Sequence, residues 1–294
     1  MMMRPLGILA LVLIAVCGSP RPAAAWGFDV HKFIMGRAIV LLPPEIRPFF
    51  QKFEPSIVER AIDPDLWRTV GWMEEPPRHF VDMDAYGPYP FKALPHDHAE
   101  AVRRYGAAFV EKNGTLPWRA EEIYKKLVEA FTQQSPYARD NIKLFAPVLA
   151  HYCADAHQPF HAALNYDGQL TGQWGIHSRF ETDLFDRYQR KLQIAPALPA
   201  PITNSREFMF EALTASFPFV QAVLDADKAA VGGREFYDDA YFDQLFGSVK
   251  PILEKRLSDS IAGVAAIISA AWVEAGRPAL PLDAPRTPRR VRRQ

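Results

Sequence analysis

Cysteine, net charge and strand-like sequence are all scarce in this chain. Only two cysteines occur among its 294 residues, and 34 Lys and Arg balance 34 Asp and Glu. No run of alternating β-branched residues, the pattern of a half-buried strand, is present. A protein built mainly from β-sheet is therefore not expected. Hydrophobic residues make up 49% of the chain, with 20 Phe and 6 Trp, which is enough for a sizeable core.

The first 25 residues have the layout of a secretory signal peptide. Arg4 precedes an apolar stretch over residues 6–17 that is too short to cross a bilayer, and the small residues at 23–25 supply a cleavage site. A membrane anchor is a less favoured alternative, and a lipid on Cys17 is disfavoured by the residue before it. We therefore predict a secreted or periplasmic protein whose mature chain begins at Trp26.

Loss of this leader changes both the cysteine count and the charge distribution. Cys153 would be the only cysteine left, so no intramolecular disulfide could form and stability would come from packing or metal. Residues 285–294 hold five arginines, and the rest of the mature chain has 27 Lys and Arg against 34 Asp and Glu. This mildly acidic body has no obvious electrostatic footprint for nucleic acid. The tail is either a contact for anionic lipid or nucleic acid, or a solvated end.

Apolar residues recur at helical spacing through most of the chain. The predicted helices cover residues 56–62, 99–113, 121–133, 141–158, 178–192, 205–224 and 246–273. The Pro-rich segment 196–201 could be a linker, but it is short and has helical patterns on both sides. We therefore predict an all-α fold with one compact multi-helix domain over residues 26–277, followed by a Pro- and Arg-rich tail over 278–294.

Four of the eight histidines fall between residues 151 and 177. His151 and Asp155 are four residues apart, which places both on one face of a helix, and His177 and Glu181 repeat this spacing. Imidazole nitrogen and carboxylate oxygen are both ligands of zinc. One such pair is common on a helix surface, but two pairs in apolar helices with His161 between them predict a metal site. A bound cation would also remove the cost of burying Asp155.

The other histidines and Cys153 have weaker signals. His157 and Cys153 are turned away from the face of His151 and Asp155, so we interpret them as core or supporting residues. His96 and His98 lie in a loop rich in Pro and Asp and are predicted to be exposed.

The pattern H-x₃-D-x-H-Q-P-x-H over residues 151–161, followed by G-x-H-x₃-E over 175–181, resembles a known family. It is similar to the zinc-dependent bacterial phospholipases C and to their relatives, the single-strand-specific zinc nucleases of fungi and plants. The likeness covers about residues 26–275 and implies a helical fold with a trinuclear zinc site. In that family the mature chain begins with Trp, whose amino group and carbonyl bind zinc, and Trp26 followed by His31 matches this feature.

The resemblance implies three zinc ions, whose ligand sets we carry over residue by residue. The first ion would be bound by Asp65, His79, His151 and Asp155, the second by His161, His177 and Glu181, and the third by the Trp26 backbone, His31 and Asp155 as a bridge. Asp65 fits a D-x-x-R pattern with Arg68 and would also orient the nucleophile, while Asp63 remains the alternative ligand. One of these two aspartates is expected to act as a turn or helix cap.

The implied activity is hydrolysis of a phosphodiester, with phospholipid favoured over single-stranded nucleic acid as substrate. Glu181 and the lack of paired cysteines resemble the phospholipases, whereas the spacing of Trp26 and His31 resembles the nucleases.

Phe80 and Tyr166 are the candidate substrate-binding aromatics; they would cage a choline, stack a base or simply pack. Contact with a membrane surface is expected under the lipid reading, and no obligate protein partner is evident. A non-catalytic protein with structural zinc is the third alternative, disfavoured because the second ion would have only three protein ligands.

Overall fold

The computed structural model describes residues 26–133, 135 and 137–283, and the described part contains helices and loops but no strand, which confirms the predicted all-α class. The α-helices are α1 (Phe28–Leu41), α2 (Arg47–Lys52), α3 (Glu54–Arg60), α4 (Asp63–Thr69), α5 (His98–Tyr105), α6 (Ala107–Lys112), α7 (Leu116–Thr132), α8 (Ala138–Ala156), α9 (Ile176–Ser178), α10 (Leu184–Tyr188), α11 (Ser205–Ser216), α12 (Phe219–Val231) and α13 (Asp239–Glu274). The predicted leader with its cleavage site, and the arginines of the tail, lie outside the described residues.

The core forms where α13 packs against α1, α7, α8 and α12. By length and composition α13 could span a membrane, but most of its apolar stretch is buried inside the protein. Leu253, Ile261 and Ile267 are examples of its fully buried side chains. A core helix of a soluble protein passes the same length and hydropathy test, so α13 gives only weak support for a membrane span.

Two helices predicted as continuous are interrupted. The predicted helix 99–113 is split into α5 and α6 at Gly106. The φ of Gly106 is 87°, a value that glycine adopts readily but that does not occur in a right-handed helix. The predicted helix 205–224 ends at Ser216 and restarts at Phe219 after Pro218. Proline has no backbone N–H to donate and favours the start of the next helix.

Several helix boundaries also differ from the prediction. α7 begins at Leu116, five residues early, with Pro117 in its first turn, where a missing N–H costs nothing. α13 begins at Asp239 because the side chain of Asp238 accepts a hydrogen bond from the N–H of Tyr241 at 2.8 Å. The first turns of these two helices contain polar residues or proline, so the apolar repeat does not reveal where the helices begin.

The segment that carries His177 and Glu181 has an unusual backbone. It runs as α9, then one π-helical turn over Arg179–Asp183, then α10. Glu181 lies inside the π-helical turn. Such turns occur often at functional sites because they redirect side chains within a helix.

The Pro-rich segment that follows lies against α13. The N–H of Gln193 donates to Glu254 at 2.5 Å, and the N–H of Ala195 donates to the hydroxyl of Ser258 at 3.1 Å. Ile194 and Ile202 pack on the core. These contacts hold the segment along the surface of α13.

Candidate metal centre

α8 supplies the two residues around which the centre is built. His151 and Asp155 lie one turn apart, and both are fully buried. Nδ1 of His151 donates to the carbonyl of Ala61 at 2.8 Å, which places the lone pair of the neutral ring on Nε2. That Nε2 lies 3.3 Å from Oδ2 of Asp155. The backbone of Ala61 therefore fixes the tautomer that a metal ligand needs.

Asp155 lies among histidines from three other parts of the chain. Its Oδ2 is 3.0 Å from Nδ1 of His79 and 3.9 Å from Nδ1 of His161, and its Oδ1 is 3.4 Å from Nε2 of His31. The ring of His31 stacks on that of His151, with centroids 3.8 Å apart. α1 and two short 3₁₀ helices, Pro76–His79 and Pro159–Ala162, deliver these rings to α8.

Asp65 and Asp63 occupy different environments in the first turn of α4. Asp65 is fully buried, and its Oδ1 lies 3.9 Å from Nδ1 of His79 and 3.1 Å from the guanidinium of Arg68. Asp63 points elsewhere and pairs with Arg60 at 3.4 Å. Of the two candidates, Asp65 is the one that lies with the histidines.

His161, His177 and Glu181 form a second group beside the first. The Nε2 atoms of the two rings are 3.1 Å apart, and Nε2 of His177 lies 2.9 Å from Oε2 of Glu181. Nδ1 of His161 donates to the carbonyl of His79 at 2.5 Å, which joins this group to the first. Gln158 donates its side-chain N–H to Oε2 of Glu181 at 2.8 Å and so orients the carboxylate.

Trp26, the predicted backbone ligand, contacts α8 at the residue before Asp155. Its side chain is fully buried, and the indole N–H donates to the carbonyl of Ala154 at 2.8 Å. The side chain of the first described residue is therefore held against α8, at the residue that precedes the expected bridging ligand in sequence.

Three buried sets have ligand atoms within 4.8 Å of one another: His31, Asp65 and His151; His79, His151 and Asp155; and His161, His177 and Glu181. The first set joins His31 to Asp65, whereas the resemblance joins it to Asp155. Because Nε2 of His31 is also 3.4 Å from Asp155, it can reach either carboxylate.

Unpartnered polar atoms test whether these residues fit metal ions. Among the described residues, no hydrogen bond reaches either oxygen of Asp65, Oδ1 of Asp155, Oε1 of Glu181 or Nε2 of His31 and His79. Oδ1 of Asp65 does lie 3.1 Å from the guanidinium of Arg68. Buried acceptors without a hydrogen bond are costly, and cations within such a cluster would satisfy them. Three buried groups can therefore bind metal ions, and the geometry alone does not identify the metal.

Burial and mutual charge set the protonation of the cluster. Burial raises the pKa of Asp155, but electrostatic attraction to His151 and His161 has the larger effect and holds this pKa well below its ordinary value. Burial, with the charge of His151, lowers the pKa of His31 to about 4. Burial also raises the pKa of Glu181 well above its ordinary value. A cation beside Glu181 would act in the opposite direction and favour the carboxylate.

A cavity of about 610 Å³ reaches the centre and provides access from outside. His79, His161 and His177 form part of its wall. The remaining lining divides into apolar side chains and a few polar or charged ones, namely Pro76, Phe80, Phe160, Leu164, Tyr166, Leu170, Trp174, Arg68, Lys112, Asp82, Asp167 and Gln169. A ligand in this cavity would contact both the histidines and a broad apolar surface.

The candidate substrate-binding aromatics, Phe80 and Tyr166, both line this cavity, as does Trp174. Tyr86 does not. Its ring packs edge-on against Tyr105 and Phe109 in an aromatic cluster of the core.

The chain matches no known family model and no curated protein.

Two supporting residues have no counterpart among the sequence-based predictions. Glu75 is fully buried, accepts from the hydroxyl of Tyr152 and from Arg78 at 2.9 Å, and lies 3.7 Å from Nε2 of His79. Gln158 holds Glu181 as described. Gln158 stands inside the histidine motif and could have been suspected there, but Glu75 precedes two prolines in a loop and has no spacing signal.

The remaining histidines lie outside the centre. His157 is buried and donates to the carbonyl of Cys153 at 2.7 Å, in agreement with its interpretation as a core residue. His96 is only partly exposed because it stacks on Phe210, with centroids 4.0 Å apart, and its Nδ1 lies 2.6 Å from Glu207. His98 is exposed.

Proposed function

We propose that the protein is a secreted zinc-dependent phosphodiesterase of the phospholipase C type. The observation that carries the proposal is the position of Asp155. This buried carboxylate is within 3.4 Å of His31, His79 and His151. A second set of three candidate ligands is adjacent, and a cavity reaches both groups.

The donor atoms favour a nitrogen-binding transition metal. The candidate ligands comprise five imidazoles and three carboxylates, which suits zinc, whereas magnesium and calcium prefer oxygen ligands throughout. When bound, zinc ions would lower the pKa of water and neutralise negative charge on a phosphodiester.

The protein's own residues supply orientation and charge. The carbonyls of Ala61 and His79 hold His151 and His161 in the tautomers that present Nε2 to the centre. Arg68 and Lys112 line the cavity and attract an anionic substrate. Asp65, whose Oδ2 accepts no hydrogen bond among the described residues, is placed to accept a proton from an attacking water and to orient it.

Access to the second group favours catalysis over a structural role. Structural zinc is usually enclosed by four protein ligands, whereas a catalytic ion retains an open position. The set of His161, His177 and Glu181 has three candidate ligands, and two of these side chains line the cavity. A fourth position there would face the cavity and its solvent.

The cavity rim favours a lipid as substrate. Leu170 is 70% exposed, and it lines the cavity beside Trp174 at 58% and Tyr166 at 43%. Val70 and Met73, on the segment between the lining residues Arg68 and Pro76, are also exposed. Aliphatic side chains suit acyl chains but cannot stack on bases.

A single-strand-specific nuclease is the second candidate. The exposed rings of Tyr166 and Trp174 at the cavity could stack on bases. Against this reading, Arg68 and Lys112 are the only Lys or Arg in the described lining, and a strand-binding groove normally has a longer row of cations.

The first test is to assay the chain from residue 26 on short-chain phosphatidylcholine and on single-stranded DNA, with and without a chelator. Chelator-sensitive release of phosphocholine is expected. If a chelator-sensitive activity is found on DNA but not on phosphatidylcholine, the protein is a nuclease and not a phospholipase. Zinc content without hydrolysis of either substrate would contradict the proposed enzyme and favour structural zinc.

The neighbouring aspartates of α4 provide a matched pair of variants. Asp65→Asn removes a carboxylate from the buried cluster, and we expect kcat to fall about 10²–10⁴-fold, the usual contribution of a positioned acid or base. Asp63→Asn alters a carboxylate two residues away that pairs with Arg60, and activity should stay within about twofold of wild type. Equal activity of the two variants would exclude the role given to Asp65.

A further inference from the structure

A buried polar network lies next to the candidate metal centre without belonging to it. Its central residue is Arg179, which is 5% exposed and lies two residues from both His177 and Glu181. Its Nε donates to the hydroxyl of Tyr241 at 2.8 Å, and one Nη contacts Asp227 at 3.1 Å. The hydroxyl of Tyr241 donates in turn to Asp227. All members of this triad are buried, and each has a partner.

The same guanidinium also holds the loop over residues 165–175. It donates to the carbonyl of Trp174 at 2.8 Å and to that of Gln173 at 3.3 Å. The side chain of Gln173 donates to Asp227 at 2.7 Å, so the end of the loop is tied to α12 by a second route. Gly175 adopts a φ of 81°, and a Cβ there would lie 3.0 Å from the guanidinium. The backbone at the end of the loop therefore packs directly against the guanidinium of Arg179.

This loop forms one wall of the cavity. Tyr166, Leu170 and Trp174 line the cavity and belong to the loop, and all three are exposed to solvent. At the start of the loop, Asp167 accepts from the N–H of His177 at 3.3 Å. The end that carries Trp174 depends on Arg179, because Arg179 caps the carbonyls of residues 173 and 174.

We propose that Arg179 is a positioning residue for substrate: through the carbonyls of Gln173 and Trp174, it fixes the distance between the apolar wall of the cavity and the candidate metal centre. The inference rests on the proposed function, since it concerns the substrate of the same site. Arginine suits this role because a planar guanidinium has five N–H donors in fixed directions. Lysine would keep the charge beside Asp227 but could not reach the hydroxyl, the carboxylate and two carbonyls together.

The test compares Arg179→Lys and Tyr241→Phe with a matched control, Tyr188→Phe. Tyr188 likewise donates its hydroxyl to a carboxylate, that of Asp243 in α13 at 2.7 Å, but it makes no contact with the loop in the network above. The three variants and the wild type are assayed for zinc content, for KM and kcat on dihexanoylphosphatidylcholine or single-stranded DNA, whichever the wild type cleaves, and for amide hydrogen exchange.

We expect Arg179→Lys and Tyr241→Phe to retain the wild-type zinc content and a kcat within about threefold, while KM rises about tenfold. Amides of residues 166–176 should exchange faster in both variants, with the rest of the chain unchanged. Tyr188→Phe should match the wild type in all of these measurements.

An unchanged KM and unchanged exchange in the loop would overturn the proposal. Loss of zinc, or faster exchange throughout the chain, would also overturn it, because Arg179 would then support the ligands or the whole fold. If the wild type cleaves neither substrate, the proposed function fails by itself. The local exchange of residues 166–176 still decides whether Arg179 holds the loop.

Discussion

At the scale of single residues, Gln158 controls a candidate ligand without being one. Its side-chain oxygen accepts from the N–H of Phe160, and its N–H donates to Glu181 at 2.8 Å. The amide is thereby fixed in one orientation, with its donor group toward the carboxylate. Residues that hold metal ligands in this manner usually contribute substantially to metal affinity.

We predict that Gln158→Leu weakens metal binding without unfolding the protein. The affinity for the ion beside Glu181 should fall about 10–100-fold, because Glu181 loses the donor that orients it. Competition with a chromophoric chelator measures this affinity. Gln221→Leu is the control, since Gln221 is exposed and donates to Asp225 at 2.8 Å, away from the centre. Equal affinities in the two variants would show that Gln158 does not support the ligand.

At the scale of elements, Gly263 of α13 lies against the end of α8. A Cβ at this position would lie 2.8 Å from Cε1 of His157 and 3.1 Å from Cζ of Phe208. His157 follows the last residue of α8, and Phe208 lies in α11. A buried histidine therefore fills the space where three helices meet, which gives His157 a packing role.

We predict opposite effects of two glycine-to-alanine substitutions in α13. Gly263→Ala should lower the free energy of unfolding by about 1–2 kcal/mol, because overpacking outweighs the better helix propensity of alanine. Gly247→Ala should raise it by about 0.5–1 kcal/mol, since an added Cβ there meets nothing within 4 Å. Thermal unfolding of both variants measures the effects. A rise in Tm for Gly263→Ala would mean that His157 moves away at little cost.

At the scale of the whole molecule, the candidate centre joins distant parts of the chain. Its residues come from α1, α4, two 3₁₀ helices, α8, α9 and the π-helical turn that follows α9. Asp65, Asp155 and Glu181 are each fully buried there. Without a cation, Glu181 opposes folding as a carboxylate, because burial raises its pKa well above the ordinary value, so bound metal should stabilise the entire fold.

We predict that chelation lowers Tm by about 5–10 °C, because an ion present at 100 times its dissociation constant contributes about 2.7 kcal/mol. Added zinc should restore the original value. Scanning calorimetry with and without chelator measures the shift. Asp155→Asn is the comparison, and its Tm should respond much less to chelator because a shared ligand is missing. An identical response of the wild type and this variant would contradict the placement of metal around Asp155.

The sequence by itself determined the helical class and most of the candidate centre. Apolar residues at three- and four-residue steps predicted most of the long helices, though not α1, because this period depends only on local geometry. The spacing of four between His151 and Asp155, and between His177 and Glu181, placed each pair on one helix face for the same reason. The interruptions at Gly106 and Pro218 were missed, although both residue types are known to break helices.

Only the tertiary structure decided which residues from separate segments lie together. The D-x-x-R pattern favoured Asp65 but left Asp63 as an alternative, and packing of α4 beside α8 separates them. Glu75, the network around Arg179 and the wall formed by Leu170 and Trp174 follow from contacts between segments far apart in sequence. Such contacts have no period along the chain, because they depend on how whole helices pack and not on the conformation of neighbouring residues.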